Sequence, residues 1–142
     1  MRILLLLLCA LVLALPAVAC AKGGGAAGTA QAANTDPSGL PIVSWENAMS
    51  MVGKEAVVEG TVVATKEIKS AIFINFHSDY KHTFSIYVPI NSKGALVGGI
   101  PGFPQSLEGK KIRVKGMVEH FTRDGNDKPE IKVHSPDQIT IL

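Results

Sequence analysis

From Lys54 to the C-terminus apolar residues recur at every second position, and this period of two constrains the chain more than any other feature. Side chains of a strand alternate between its faces, so the pattern predicts half-buried β-structure rather than a helical bundle. In "EAVVEGTVVATK", Val58, Gly60, Val62 and Ala64 share one face, and Val57, Glu59, Thr61 and Val63 the other. Glycine weakens a strand interior unless it marks a bulge or a tight bend, so Gly60 points to a small, strongly curled sheet. The runs "AIFINF", "HTFSIYV", "KKIRVKGMVEHF" with a second mid-strand glycine at Gly116, and "PEIKVHS" continuing into "QITIL" complete five predicted strands. Asp124-Gly125 in "TRDGNDKP" supplies a turn before the last of them.

Two segments depart from that period. In "SWENAMSMVGK", Ser44 is a natural N-cap, Trp45, Ala48, Met49 and Val52 recur at helical spacing, and Gly53 is a C-terminal stop, which predicts a short helix packing its apolar stripe. The stretch "PINSKGALVGGIPGFPQSLEG", Pro89 to Gly109, is rich in Gly and Pro and predicts a long loop between the third and fourth strands. The expected fold is therefore all-β: a five-stranded barrel with a short N-terminal helix and one long connection, which is the OB-fold arrangement.

The elements "VGKEAVVEGTVV", "AIFINF", "FSIYVP", "LEGKKIRVKGMVE" and "PEIKVHSPDQITIL" carry a family resemblance. Over roughly Val52 to Leu142 the chain resembles the small bacterial OB-fold domains of the nucleic-acid-binding, tRNA-anticodon-binding-like type. Similar domains occur in exported chains beside micrococcal-nuclease-like modules. The resemblance lies in the hydrophobic pattern, Gly60, Gly116 and Gly109-Lys110, and so speaks to fold before function. It implies a ligand face on strands 2 and 3 with the loops after strands 1 and 4. These positions fall at Thr65 to Ser70, Ala71 to His77, Thr83 to Val88 and His120 to Lys128.

On strands 2 and 3, Ile72, Ile74, Phe76, Phe84, Ile86 and Val88 read as core, which leaves Phe73 and Tyr87 outside beside the polar Asn75 and Ser85. Flat rings there could stack on bases at about 1 to 3 kcal/mol each; the alternative is that they pack under the helix or the long loop. Basic residues supply the other half of the expectation. Lys111, Arg113 and Lys115 alternate on the outward face of the fourth strand, while Lys66, Lys69 and Lys81 fall near the loops flanking strand 2 and Arg123 in the last turn. From Lys54 to Leu142 there are ten Lys and two Arg against four Asp and six Glu, a net charge of only +2. Phosphate contacts would therefore give weak, salt-sensitive binding, and an alternating charged strand is also what an ordinary solvated face looks like.

No enzyme is expected. No serine lies in a G-x-S-x-G turn, and Arg113 and Arg123, the only arginines after the leader, have no acidic cluster beside them. His77 and His82 bracket "SDYK" and could meet across a hairpin with Asp79, but His77, His82, His120 and His134 show no metal-ligand spacing. Neither a metal nor a cofactor is expected.

The first residues read as targeting. Arg2, the apolar run Ile3 to Leu15, Pro16 and Ala17-Val18-Ala19 before Cys20 describe an export signal over residues 1–19, shorter than the roughly 20 apolar residues of a membrane span. A small residue before Cys20 resembles the lipobox of bacterial lipoproteins, which would anchor the chain to a membrane through Cys20; Ala17-x-Ala19 equally suits ordinary secretory cleavage. Cys9 lies inside the signal, so the remaining chain can form no internal disulfide. Residues 20–41 read as a flexible linker and residues 42–142 as the domain. Two partner classes follow: single-stranded DNA or RNA or a similar extended polyanion, and an envelope protein or small ligand held by the same barrel face outside the cytoplasm.

Overall fold

The computed structural model describes residues 34–142; the export signal and Cys20 lie outside the described residues. In chain order the elements are β1 (Ile42–Ser44), a 3-10 turn (Trp45–Met51), β2 (Glu55–Thr61), β3 (Ala64–Glu67), β4 (Ala71–Asn75) and β5 (Ser85–Pro89). A 3-10 turn (Ile90–Ser92) leads into α1 (Lys93–Gly99), and another (Gln105–Leu107) precedes β6 (Lys111–Arg123) and β7 (Asn126–Lys132). A last 3-10 turn (Pro136–Gln138) leads into β8 (Ile139–Ile141).

The strands pair in the order β1-β2-β6-β7-β5-β4-β3, with β8 on β6. β2 and β3, near opposite ends of that path, are separated in sequence only by Val62 and Val63. They are two arms of one bent strand, so the sheet curls into a barrel. The antiparallel ladder β3-β4-β5, the parallel pair β5-β7 and the antiparallel hairpin β6-β7, with β6 returning to β2, are the OB-fold topology. Gly60 makes the bend possible: a Cβ there would lie 2.4 Å from Trp45 Cδ1 and 2.6 Å from Phe76 Cδ1. The expected inward set Ile72, Ile74, Phe76, Phe84, Ile86 and Val88 is buried and forms the core with Val58, Val62, Ile112, Val114, Val118 and Ile131.

The five strands of the sequence reading become eight for three local reasons. The bend divides the first into β2 and β3, the 3-10 turn Pro136–Gln138 divides the last into β7 and β8, and Ile42–Ser44 adds a short parallel strand to β2. The N-terminal helix is a 3-10 turn, in which Ser44 holds the N-cap position without a side-chain cap bond. With three residues per turn, Trp45, Ala48 and Met51 share the inner face, so Met49, expected inside, is exposed.

The long loop expected after the third strand instead carries α1. Leu96 and Ile100, with Phe103 and Leu107 beyond it, drive into the core. Gly94, Gly98, Gly99 and Gly102 dilute the helical period there below recognition in sequence. The linker also stops short of Pro41. Ile42 N–H donates to the Asn34 carbonyl at 2.6 Å, and Asp36 caps a turn through Ser38 and Leu40 that Lys115 Nζ holds to the barrel through Ser38 Oγ at 2.7 Å.

Candidate functional site

Three registers assemble the outer face of the barrel. Phe73 on β4 sits opposite Lys66 on β3 and opposite Tyr87 on β5, and Asn75 sits opposite Ser85. The Phe73 and Tyr87 rings meet edge-to-face, with centroids 5.6 Å apart. From the other side, Asp124 (φ 51°) and Gly125 (φ 76°) close a two-residue turn with both residues left-handed, which places Phe121 opposite Lys128. Lys128 then reaches across, its Nζ 5.4 Å from the Phe73 ring centroid and donating to Ser85 Oγ at 2.6 Å.

These contacts enclose a cavity of about 290 Å³ whose walls include Phe73, Asn75, Tyr80, Phe121 and Lys128, with Lys66 and Ile68 at one side and Asn126 at the other. It lies where strands and hairpin of an OB-fold converge on a ligand. Asn75 is 7% exposed and its Oδ1 has no hydrogen-bond partner among the described residues. Lys128 is 3% exposed and makes no ion pair within contact distance among the described residues. Buried polar atoms normally find partners, so the lone Asn75 Oδ1 is unusual, whereas Lys128 Nζ is bonded to Ser85 Oγ but carries its charge without an ion pair among the described residues.

Charge on the face is mixed. Glu130 follows Lys128 on the same side of β7 and is 4% exposed, and Glu119, opposite it on β6, binds Lys132 Nζ at 2.6 Å. Burial pushes the Glu130 carboxyl above its ordinary 4.5, opposed by the Lys128 and Lys132 ammonium groups and reinforced by Glu119. Burial pulls Lys128 below its ordinary 10.5, with Glu130 opposing. For Glu130 the folded state therefore holds its proton to higher pH than the unfolded chain does. Its contribution to stability is present below 4.5 and is lost as pH rises through the raised folded value. Glu130→Gln should remove that loss. The melting temperature of the variant, less that of the wild type, should grow from pH 4.5 towards neutrality; a difference flat across that range would contradict the assignment.

Of the residues singled out from sequence, Phe73, Asn75 and Lys66 line the cavity, while Tyr87 and Ser85 support it through Phe73 and Lys128. Lys69 is exposed between β3 and β4, and Lys81 is exposed in the β4–β5 loop, whose carbonyl accepts from Asp127 N–H at 3.0 Å. Arg123 projects at the hairpin tip and pairs with Asp124 at 3.2 Å.

Lys111, Arg113 and Lys115 are not brought to the site. They stand on the half of β6 that pairs with β2, where Lys111 and Arg113 share Glu59 and Lys115 bonds Ser38 near Asp36. The Lys111 ammonium, most strongly, and the Arg113 guanidinium hold Glu59 below its ordinary carboxyl value. Tyr80 lies outside the segments that the resemblance points to, while Phe121, Asn126 and Lys128 fall inside the segment His120 to Lys128 without being singled out by the sequence reading. Phe121 and Lys128 had a signal: a two-residue Asp-Gly turn fixes the hairpin register and sets them opposite each other.

The histidines are held locally. His77 stacks on Trp45 at 5.8 Å between centroids, His82 Nδ1 lies 3.0 Å from Asp79, His120 Nε2 lies 2.6 Å from Asp127, and His134 Nδ1 lies 3.2 Å from Ser92 Oγ. Among the described residues no three His, Cys, Asp or Glu side chains converge as a metal site would require.

No protein-family model matches the chain, and no curated protein matches it. Among solved structures it is similar to aspartyl-tRNA synthetase from Entamoeba histolytica, with a TM-score of 0.47 and 17% identity over 74% of this chain and 22% of that one. A putative aspartyl-tRNA synthetase from Leishmania major Friedlin gives 0.46 and 11% over 76% and 22%, and asparaginyl-tRNA synthetase from Pyrococcus horikoshii 0.43 and 14% over 70% and 22%. The chain thus spans about a fifth of the length of these enzymes. At identities and scores this low the likenesses carry no argument for a ligand, and the OB-fold of this chain rests on its strand order and register.

Proposed function

We propose that the chain is a non-catalytic OB-fold module that binds single-stranded nucleic acid on the outer face of β4 and β5, carried by an exported chain anchored through Cys20. The observation that supports this most is the aromatic cavity: Phe73, Tyr80 and Phe121 surround one recess on that face, with Lys66 and Lys128 in its lining. Rings in such a recess stack on bases whatever the sequence. Lys66, Lys69 and Lys81 have no ion-pair partner within contact distance among the described residues and supply phosphate contacts. Glu119 and Glu130 on the same face favour a second reading, an envelope module whose face holds a small ligand or a protein segment rather than a polyanion.

Fluorescence anisotropy of labelled single-stranded DNA and RNA separates the two. The nucleic-acid reading expects micromolar binding whose logarithm falls against log salt with a slope of about −2, roughly −0.7 for each of the three lysines. Arg113→Ala should leave the affinity within about twofold, since that guanidinium serves Glu59, whereas Lys66→Ala should shrink the salt slope by about 0.7. Absence of binding at low salt would move the assignment to the second reading.

A further inference from the structure

The cavity is more than a stacking surface, because its wall carries, among the described residues, one buried acceptor without a donor and one buried ammonium without an ion pair. Asn75 Oδ1 is a buried acceptor with no donor among the described residues. Lys128 Nζ spends one N–H on Ser85 Oγ and faces the Phe73 ring, with further donors to spare. Both side chains line the same recess, walled by Phe73, Tyr80 and Phe121. A volume of about 290 Å³ sits at the bottom of the roughly 300 to 1,000 Å³ range of small-ligand sites, the scale of a single ring system rather than a run of nucleotides.

We infer that this recess is a base-edge reading pocket. It takes one flat heterocycle between its aromatic walls, whose ring or amino N–H donates to Asn75 Oδ1 and whose adjacent carbonyl or ring-nitrogen acceptor receives Lys128 Nζ. The inference rests on the nucleic-acid reading above and adds to it. Stacking alone accepts every base and any flat hydrocarbon, whereas a site with waiting buried polar groups rejects a ring that cannot satisfy them. The heterocycle is either a base unstacked from a single strand or a free nucleoside, which present the same edge.

The test compares an oligothymidylate with the same oligomer carrying difluorotoluene in place of each thymine, a ring of equal shape and π-face without the hydrogen-bonding edge. The purified protein should bind the thymine oligomer at least about tenfold more tightly. Asn75→Leu should reduce that preference to within about twofold while leaving the melting temperature unchanged or higher, since it removes an unsatisfied buried acceptor. A purely structural role for Asn75 would not move the preference.

Free thymidine and guanosine are titrated in parallel, following the Asn75 side-chain amide by NMR. Equal affinity for the two oligomers overturns the inference and leaves a stacking face. Failure of both oligomers to bind while a nucleoside shifts the Asn75 amide overturns the polymer reading and keeps the pocket. No response to either oligomer or either nucleoside overturns both.

Discussion

Phe73→Ala is expected to weaken single-stranded nucleic-acid binding by about ten- to a hundredfold, the loss of one stacking ring at roughly 1 to 3 kcal/mol compounded by the loss of a cavity wall. Phe73 meets the Tyr87 ring, lies under Lys128 Nζ and stands opposite Lys66, so three site residues are organised around it. Because stacking is not screened by ions, the loss should be equal at low and physiological salt, while the effect of Lys66→Ala should fade as salt rises. Titrations of both variants at two ionic strengths provide the check. Phe73 is only half-buried and stands outside the core cluster, so the variant should keep its fold. Unchanged affinity in a folded Phe73→Ala protein would remove this face from the proposed function.

The second large effect concerns the bend between β2 and β3. Gly60→Val is expected to destabilise the domain by about 3 kcal/mol, because its Cβ would enter space held by Trp45 and Phe76, and overpacking a close-packed interior costs on this order. For a domain of this size the melting temperature should fall by at least about 10 °C. β2 cannot move away, since Gly60 is in register with Ile112 on β6 and its neighbours Val58 and Val62 are buried. Phe76→Leu should lessen the damage in the double variant, as residues sharing one space are not additive. A Gly60→Val protein with the wild-type melting temperature would show that the barrel curls for another reason.

Gly60 also shows how far the sequence could be read. A glycine within an otherwise alternating strand announces a bend, and the inward set on β4 and β5 was legible because strand side chains alternate without exception over short runs. The helix α1 was not legible: its four-residue spacing from Leu96 to Ile100 is embedded in glycines that suit a loop equally well. Nor did the sequence show the 3-10 geometry that turns Met51 inward and Met49 outward, since neighbouring helical periods differ by less than a residue per turn.

The site divides along the same line. Sequence by itself determined the alternating segments that form the barrel, the inner and outer faces of β4 and β5, the Asp124-Gly125 hairpin and the presence of Phe73, Tyr87 and Asn75 on the outer side, because each follows from contacts between residues close in the chain. Which charges stay free for a ligand was decided only by tertiary structure. Arg113 finds Glu59 across 54 positions and Lys115 finds Ser38 across 77, while Lys128 is carried over Phe73 and onto Ser85, 43 positions away. An ion pair or a buried amine depends on the distance between side chains in space, and alternation along a strand specifies only the face on which each side chain begins.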